Sequence, residues 1–584
     1  MTLHVLANPY LCAVLFAVAA TRSRAITTNE LAAAVAEDVS RSVCPGGVDG
    51  SPFWNRRSIS FMHPPAFDFA EVPGASSYRF TVTDDMVHVH EFTANRPTAD
   101  LSPVWKKVPI GFVRVEARGV DGKGMDLGLA GTRRFWKSAP YEPGVYPSKP
   151  WSYLECVRRW YPALMAHPNT RHFLKHGTPD GKTDLLNIYP AKMNAALITG
   201  MLRYAKVPGA PKEDAIKVAM NAGDYMISIS QPDGAPLAGF PPTYWKMEGQ
   251  KSNFASIKYA GQNMLVYPAS MGAAYILLHS ETGEMRYLDA ALKIARTYEK
   301  LQLADGTWYL KVWEKDARAV IEGNGSVPVK LIPIGVCSFM ERLARHTGDD
   351  RWRKVGDKAF AYLDAGPLKT LDFAPQFEDT TPSANYRDLA SVSFNQMALY
   401  LLRRFPDDPK RRKQARELVR LMEDQFACWR KPCRADGTGI VSEPEHGFNP
   451  VWNPVCNMDD NPHGNWSERF DNWIDVPGIV EKYRWYVMIN GTTALAMRAY
   501  LALYRAEGDE LSLAKAKTLG DSMVRVQEMD GGAEIATHWV VSDLTGISCP
   551  NNWTNCGLGA VLALQELAEV VEAVPRRQTG DRPR

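Results

Sequence analysis

Residues 376–386 read QFEDTTPSANY, with Glu378 and Asp379 adjacent between Phe377 and Tyr386. Carboxyl groups in a polar, proline-containing segment suit hydrolysis of a glycosidic bond. That reaction needs one protonated carboxyl to give a proton to the leaving oxygen, and one ionised carboxyl to activate water or attack the sugar. Neighbouring side chains diverge, so one pair of adjacent residues rarely does both jobs. The partner has to come from another segment. NWIDVPGIVEKYRWYV supplies two candidates, Asp475 and Glu481. Asp475 precedes Pro477, where the sequence predicts a helix start, and it also reads as an N-terminal cap. Glu481 then falls about one turn into that helix, with Tyr483 and Arg484 nearby.

Binding candidates surround these acids. Tyr244, Trp245, Trp308, Tyr309, Trp473 and Trp539 offer faces on which sugars stack, with core packing as the alternative for each. Arg484, Lys311 and Asn552 offer partners for a substrate carboxylate or hydroxyls, a bidentate arginine being the usual match for a sugar acid. His446 and His538 are candidate proton carriers. No Cys/His set has the spacing of a zinc site, so no metal and no cofactor is expected. Cys428/Cys433 and Cys549/Cys556 are close enough in sequence to pair in an oxidising compartment, with buried free thiols as the alternative.

The 584 residues carry 68 basic and 65 acidic side chains, a balance that gives no sign of nucleic acid or of an anionic membrane surface. The start, MTLHVLANPYLCAVLFAVAATRSRA, has an apolar run and the small-residue end Ser23-Arg24-Ala25. It predicts a signal peptide over 1–25 and a secreted or periplasmic protein with no membrane insertion after its removal. A helical or linker segment is expected over 26–57.

Residues 58–140 alternate with period two. Tyr78, Phe80 and Val82 share one strand face, as do Val113, Val115 and Ala117 before the Asp121-Gly122 turn. The pattern resembles a fibronectin type III-like β-sandwich. From Trp151 the period becomes helical and repeats. Apolar helix, tight turn and second helix recur in MGAAYILLHSETGEMRYLDAALKIARTYEKL, SFMERLARHTGDDRWRKVGDKAFAYLDA and three further copies. The chain therefore reads as α+β and multidomain. The sandwich is followed by an (α/α)6–7 toroid of helical hairpins over 150–575, with an open solenoid as the alternative. In a toroid the tight turns share one face. The long linkers, among them 231–249, 303–316, 371–386, 428–487 and 529–556, share the other, and all the candidates above lie on them.

LADGTWYLKVW, VKLIPIGVCSFMERL, FAPQFEDTTPSANYRDLA and VPGIVEKYRWYVMINGTTALAMRAYLALY resemble exported (α/α)-toroid proteins of bacterial polysaccharide-degradation loci. The resemblance covers roughly residues 190–565. It implies a carbohydrate-active enzyme of a glycoside hydrolase group that includes β-glucuronidases, with a polysaccharide or oligosaccharide as partner. Uronate polysaccharide lyases share the toroid, so β-elimination by Tyr244, Tyr267, His446 or His538 stands as the second expectation. A non-catalytic glycan-binding protein is the third.

Overall fold

A computed structural model describes residues 26–43, 58, 60–180, 189–245, 258–321, 327–371, 373, 376, 391–430, 474–481, 488–539, 541–542, 546–547 and 554–572. Helix α1 (Thr28–Asp38) opens with a capping box in which Thr27 and Glu30 satisfy each other's backbone N–H groups. Strands β1 (Ser60–Phe61), β2 (Ser77–Asp84), β3 (Val89–Ala94), β4 (Gly111–Val120) and β5 (Asp126–Lys137) form one sheet in the order β1-β5-β4-β2-β3. Only the β1–β5 pair is parallel.

The alternation read from the sequence holds: Tyr78, Phe80 and Val82 are buried on one face with Val113, Val115 and Ala117. The expected two-sheet sandwich does not. Among the described residues the layer opposing this sheet is the 95–110 segment, which lays Leu101, Val104, Trp105 and Val108 on it through the short helix α2 (Ser102–Trp105). Among the described residues all five strands of this region belong to that one sheet, which leaves none for a second.

The remainder is a closed ring of helices. The inner helices are α5 (Pro190–Tyr204), α7 (Tyr267–Thr282), α9 (Ile334–Thr347), α12 (Val392–Arg404), α14 (Asn490–Glu507) and α16 (Thr554–Val571). Each packs on the next, and α16 packs back on α5. Outside them lie α6 (Lys212–Ile229), α8 (Met285–Leu301), α10 (Asp350–Ala365), α13 (Pro409–Phe426) and α15 (Glu510–Met529), each beside its preceding inner helix. The sixth outer helix is α3 (Tyr153–Ala166), followed by α4 (Pro168–His176). The last inner helix pairs with the first outer one, and that contact closes the ring. This is an (α/α)6 toroid; the solenoid alternative is excluded by the closure. A one-turn helix, α11 (Pro367–Thr370), follows α10.

The tight turns are encoded locally. Gly283 and Gly348 end α7 and α9 in the left-handed conformation (φ 75° and 73°), and Asp349, Asp408 and Asp509 cap the outer helices that follow. Close approach of inner helices also needs small residues: a Cβ on Gly272 of α7 would lie 2.5 Å from the Phe339 ring of α9.

One expectation fails locally. Pro477 starts no helix. Gly478–Ile479 is strand β9, paired with β8 (Ala427–Cys428), and the helix begins at Asn490. Val480 N–H donates to Phe426 O and Ile479 N–H to the Thr493 hydroxyl, so the segment's hydrogen bonds go across to α13 and α14 rather than along a helix.

Helix α1 and the sheet are tied to the ring by buried charge. Asp424 of α13 accepts the Met62 and His63 N–H groups, both at 2.7 Å, and its Oδ1 lies 3.2 Å from His63 Nδ1. His63 Nε2 faces Asp38 at 3.6 Å, and Arg420 Nε donates to Asp38 at 2.9 Å. Lys515 lies 2.7 Å from both oxygens of Glu423 and 3.6 Å from Asp38. Buried ions are tolerated only when paired in this way.

Cys156 and Cys337 are buried free thiols. Cys433 and Cys549, proposed as partners of Cys428 and Cys556, lie outside the described residues, as does the 1–25 segment. Among the described residues no helix is long and apolar enough to cross a membrane.

Candidate functional site

All the inner helices point their N-termini to the mouth that carries the long linkers. Two linkers join there. Strand β6 (Gln262–Met264) pairs antiparallel with β7 (Lys311–Trp313), and Leu265 N–H donates to Leu310 O. A third stretch locks on: Asn263 Nδ2 donates to Pro241 O at 2.9 Å, and Met264 N–H donates to the Thr243 hydroxyl at 2.9 Å. The ribbon fixes Tyr244 and Lys311 side by side.

Lys311 is 2% exposed. Its Nζ lies 4.1 Å from the Tyr259 ring centre and 6.0 Å from that of Tyr244. The rings of Tyr244 and Tyr259 are 5.0 Å apart, and Tyr189 meets Tyr244 at 6.2 Å. Lys192 lies 5.8 Å from the Tyr189 ring and 5.9 Å from that of Tyr267. Four tyrosines thus run between two ammonium groups. Ring faces carry negative charge, which eases the burial of a lysine. Lys192 stands in the first turn of α5, at the positive end of the helix dipole, where a lysine is disfavoured and an anion is welcomed.

Glu314 follows β7 directly, and its N–H donates to Gly261 O at 2.9 Å. Burial pushes its carboxyl above the usual glutamate range, and the Asn263 side chain offsets only part of that push. A carboxyl whose pKa is raised by burial is better suited to donate a proton, as a general acid must.

The sequence candidates separate into groups. Tyr244 joins the lysine–tyrosine cluster, as do Tyr267 and Lys311. Trp245 is half-buried beside the Tyr225 hydroxyl. His538 is buried on the same mouth, bridged to Ile489 at the start of α14. Glu481 is also at a helix start: its carbonyl accepts the Ser391 N–H at 2.9 Å, at the head of α12. Trp308 and Trp539 are fully buried. Trp308 donates its indole N–H to Tyr298 O at 2.7 Å, and Trp539 donates to Ala536 O at 3.2 Å. Rings without an exposed face pack the core instead of stacking on sugar.

Asp475 is exposed, but it opens onto a cavity of about 770 Å³ shared with α1, the 139–147 connector and Trp429. That is the junction of the N-terminal segment with the ring, not the linker mouth. Glu378, Asp379, Tyr483, Arg484 and Asn552 lie outside the described residues. Gln376 does not: its side chain accepts the Ile332 N–H at 2.9 Å and donates to Lys330 O at 2.8 Å. The linker before α12 is thereby fastened to the one that carries Glu314.

Tyr189, Lys192, Tyr259 and Glu314 were not singled out by sequence reasoning. The 303–316 linker was recognised as rim, but nothing in the string LKVWEKD distinguishes Glu314 from Asp316. The surroundings do: Glu314 Oε1 is buried and its carboxyl is pushed up by that burial, whereas Arg318 holds the partly exposed Asp316 below the usual carboxylate range.

No protein-family model matches the sequence, and no curated protein matches it. Solved structures do resemble it. A family 76 glycoside hydrolase from a bovine Bacteroides thetaiotaomicron strain is 12% identical, with 85% of this chain and 93% of that one covered and a TM-score of 0.42. A cellobiose 2-epimerase from Spirochaeta thermophila is 13% identical over 71% and 98%, with a TM-score of 0.45. A polysaccharide lyase is 10% identical over 88% and 63%, with a TM-score of 0.39. Likeness at this level carries no activity from those proteins to this chain.

Proposed function

We propose that this protein is an exported carbohydrate-active enzyme, a glycoside hydrolase whose substrate presents a uronic acid to the linker mouth. The observation that carries this reading is the cluster of Lys192 and Lys311 among Tyr189, Tyr244, Tyr259 and Tyr267, with Glu314 three residues beyond Lys311 on the same linker. Half-buried Lys192 supplies an ammonium group for a sugar carboxylate, and the tyrosines, each at most 8% exposed, pack around it and Lys311 at the base of the mouth. Glu314 is the proton donor in this reading. Glu378 or Asp379 is the ionised partner, which is supported by the Gln376 hydrogen bonds that fasten their linker to that of Glu314. Glu481 is the alternative partner, from the segment that meets the head of α12.

The test is hydrolysis of aryl β-glucuronides and of uronic-acid oligosaccharides, read by reducing ends. Glu314→Gln is expected to lower kcat by about 100-fold or more with the melting temperature unchanged, the scale of a lost general acid. Aryl glucuronides with good leaving groups should lose much less. Full activity in Glu314→Gln on a poor leaving group would remove Glu314 from the mechanism. A lyase is the second reading, with Tyr267, whose ring centre lies 5.9 Å from Lys192 Nζ, as the base. Product absorbance in the near ultraviolet decides, because only elimination leaves a double bond.

A further inference from the structure

The opposite mouth of the ring, where the tight turns lie, gathers guanidinium groups. Arg203 stands in the last turn of α5 and Arg403 in that of α12, while Arg342 and Arg345 are on α9. Met340 of α9 packs on Gly356 of the outer helix α10. Arg342 is two residues further on, about 200° around the helix, so it points at the ring axis. It is half-buried, and burial together with the charges of Arg403, Arg345 and Arg203 works against its protonated form.

Glu341 is the carboxylate set among these groups. It lies 3.9 Å from Arg345 and 3.7 Å from Arg403, both beyond hydrogen-bond distance, and its Oε2 has no hydrogen-bond partner among the described residues. Arg403 donates instead to the Ser338 hydroxyl at 3.0 Å. Beside them His279 Nδ1 and His346 Nε2 are 2.8 Å apart. One ring must accept from the other, and burial holds His346 below its ordinary pKa, so the pair adds no negative charge. Among the described residues Glu341 stands near Arg345 and Arg403, while Glu281 is held by Lys206 and Glu566 by Arg498 and Arg505.

Basic side chains in a last turn favour the helix dipole, and that accounts for Arg203, Arg345 and Arg403 singly. It does not account for Arg342, which sits more than a turn inside α9, half-buried and with like charges around it. A desolvated cation in that setting costs stability unless an anion joins it.

We propose that this mouth is a binding site for a multiply charged oxyanion, with Arg342 at its base and Arg203, Arg345 and Arg403 around it. Phosphate, a sulfate ester and clustered carboxylates share the chemistry that arginine recognises. The site is independent of the linker mouth and of the reaction proposed there.

Isothermal titration of the full chain in chloride buffer tests this with two probes, inorganic pyrophosphate and tetragalacturonate. Saturable binding of at least one is expected, weakened tenfold or more in Arg342→Met. The melting temperature should rise with that probe and not with sodium chloride at equal ionic strength. Without probe, Arg342→Met should melt no lower than the wild type, because it removes repulsion. A merely structural arginine would melt lower. Binding of pyrophosphate alone identifies a free oxyanion as the ligand, and binding of the oligouronate alone identifies an acidic glycan. The exposed-residue variant Arg203→Gln/Arg403→Gln repeats the affinity test should Arg342→Met fail to fold. No saturable binding by either probe, or equal binding by the wild type and the variants, overturns the proposal.

Discussion

Replacing Lys515 by methionine removes the cation from the most buried carboxylate in the protein's charge network. Glu423 is 2% exposed and Lys515 4%. Asp38 keeps Arg420 and His63 after the change, so its charge stays matched. Glu423 keeps only neutral donors, Trp429 N–H at 3.0 Å and Tyr500 O–H at 2.9 Å. Breaking a buried pair in this way costs about 3–5 kcal/mol. Protonation sets a ceiling on the loss. Neutralising a free glutamate at pH 7 costs about 1.36 kcal/mol for each of roughly 2.7 pH units, or about 3.7 kcal/mol. At pH 5 the same ceiling is about 1 kcal/mol. Lys515→Met should therefore lose about 3–4 kcal/mol at pH 7 and about 1 kcal/mol at pH 5 in urea unfolding. The double variant Lys515→Met/Glu423→Gln should recover most of the loss, since the glutamine oxygen can accept from Trp429 while its amide N–H donates to the Tyr500 hydroxyl. A loss below about 1 kcal/mol at pH 7, an equal loss at both pH values, or a double variant no better than the single would refute the reasoning.

Two further outcomes follow from buried groups. Burial alone would lower the pKa of His63, but Asp38 and Asp424 outweigh it and the net shift is upward. Its contribution is complete below the ordinary histidine value of about 6.5 and fades as pH rises through the folded value. Asp38 is shifted down, with His63, Lys515 and Arg420 overcoming its burial, so its contribution is complete above about 4 and fades in acid. Melting temperature against pH should thus be highest between these limits, and His63→Gln should flatten the alkaline decline. Trp308→Ala should cost about 3–5 kcal/mol of stability by emptying a core site, with any loss of turnover tracking the fraction unfolded. A fully folded Trp308→Ala with selectively lost substrate binding would return that ring to the site.

The ring was legible because its signals are local. Helical periodicity, Thr-Gly and Asp turns and unequal linkers are each written within some forty residues, and they sort the chain into two mouths. The strand faces of 77–120 were legible for the same reason. What failed was layer assignment. The same alternation fits two facing sheets or a single sheet covered by a segment such as 95–110, and pairing partners are not written in the period. The helix expected at Pro477 failed by a tertiary override: the 478–480 backbone bonds to α13 and α14 instead of to itself.

For the site, sequence alone determined which segments gather at one mouth and which residue types they bring. That placed Tyr244, Tyr267 and Lys311 in view. Only the tertiary structure decided which of them meet. It put Trp308 and Trp539 in the core and Asp475 at the junction with α1. It drew Tyr259 to Tyr189 and Lys192 at the head of α5 in one cluster, and it singled out Glu314 from Asp316 two residues away. The physical reason is that residue type fixes a group's chemistry in water, whereas its charge state and partners depend on how much water the fold removes and what it puts there instead.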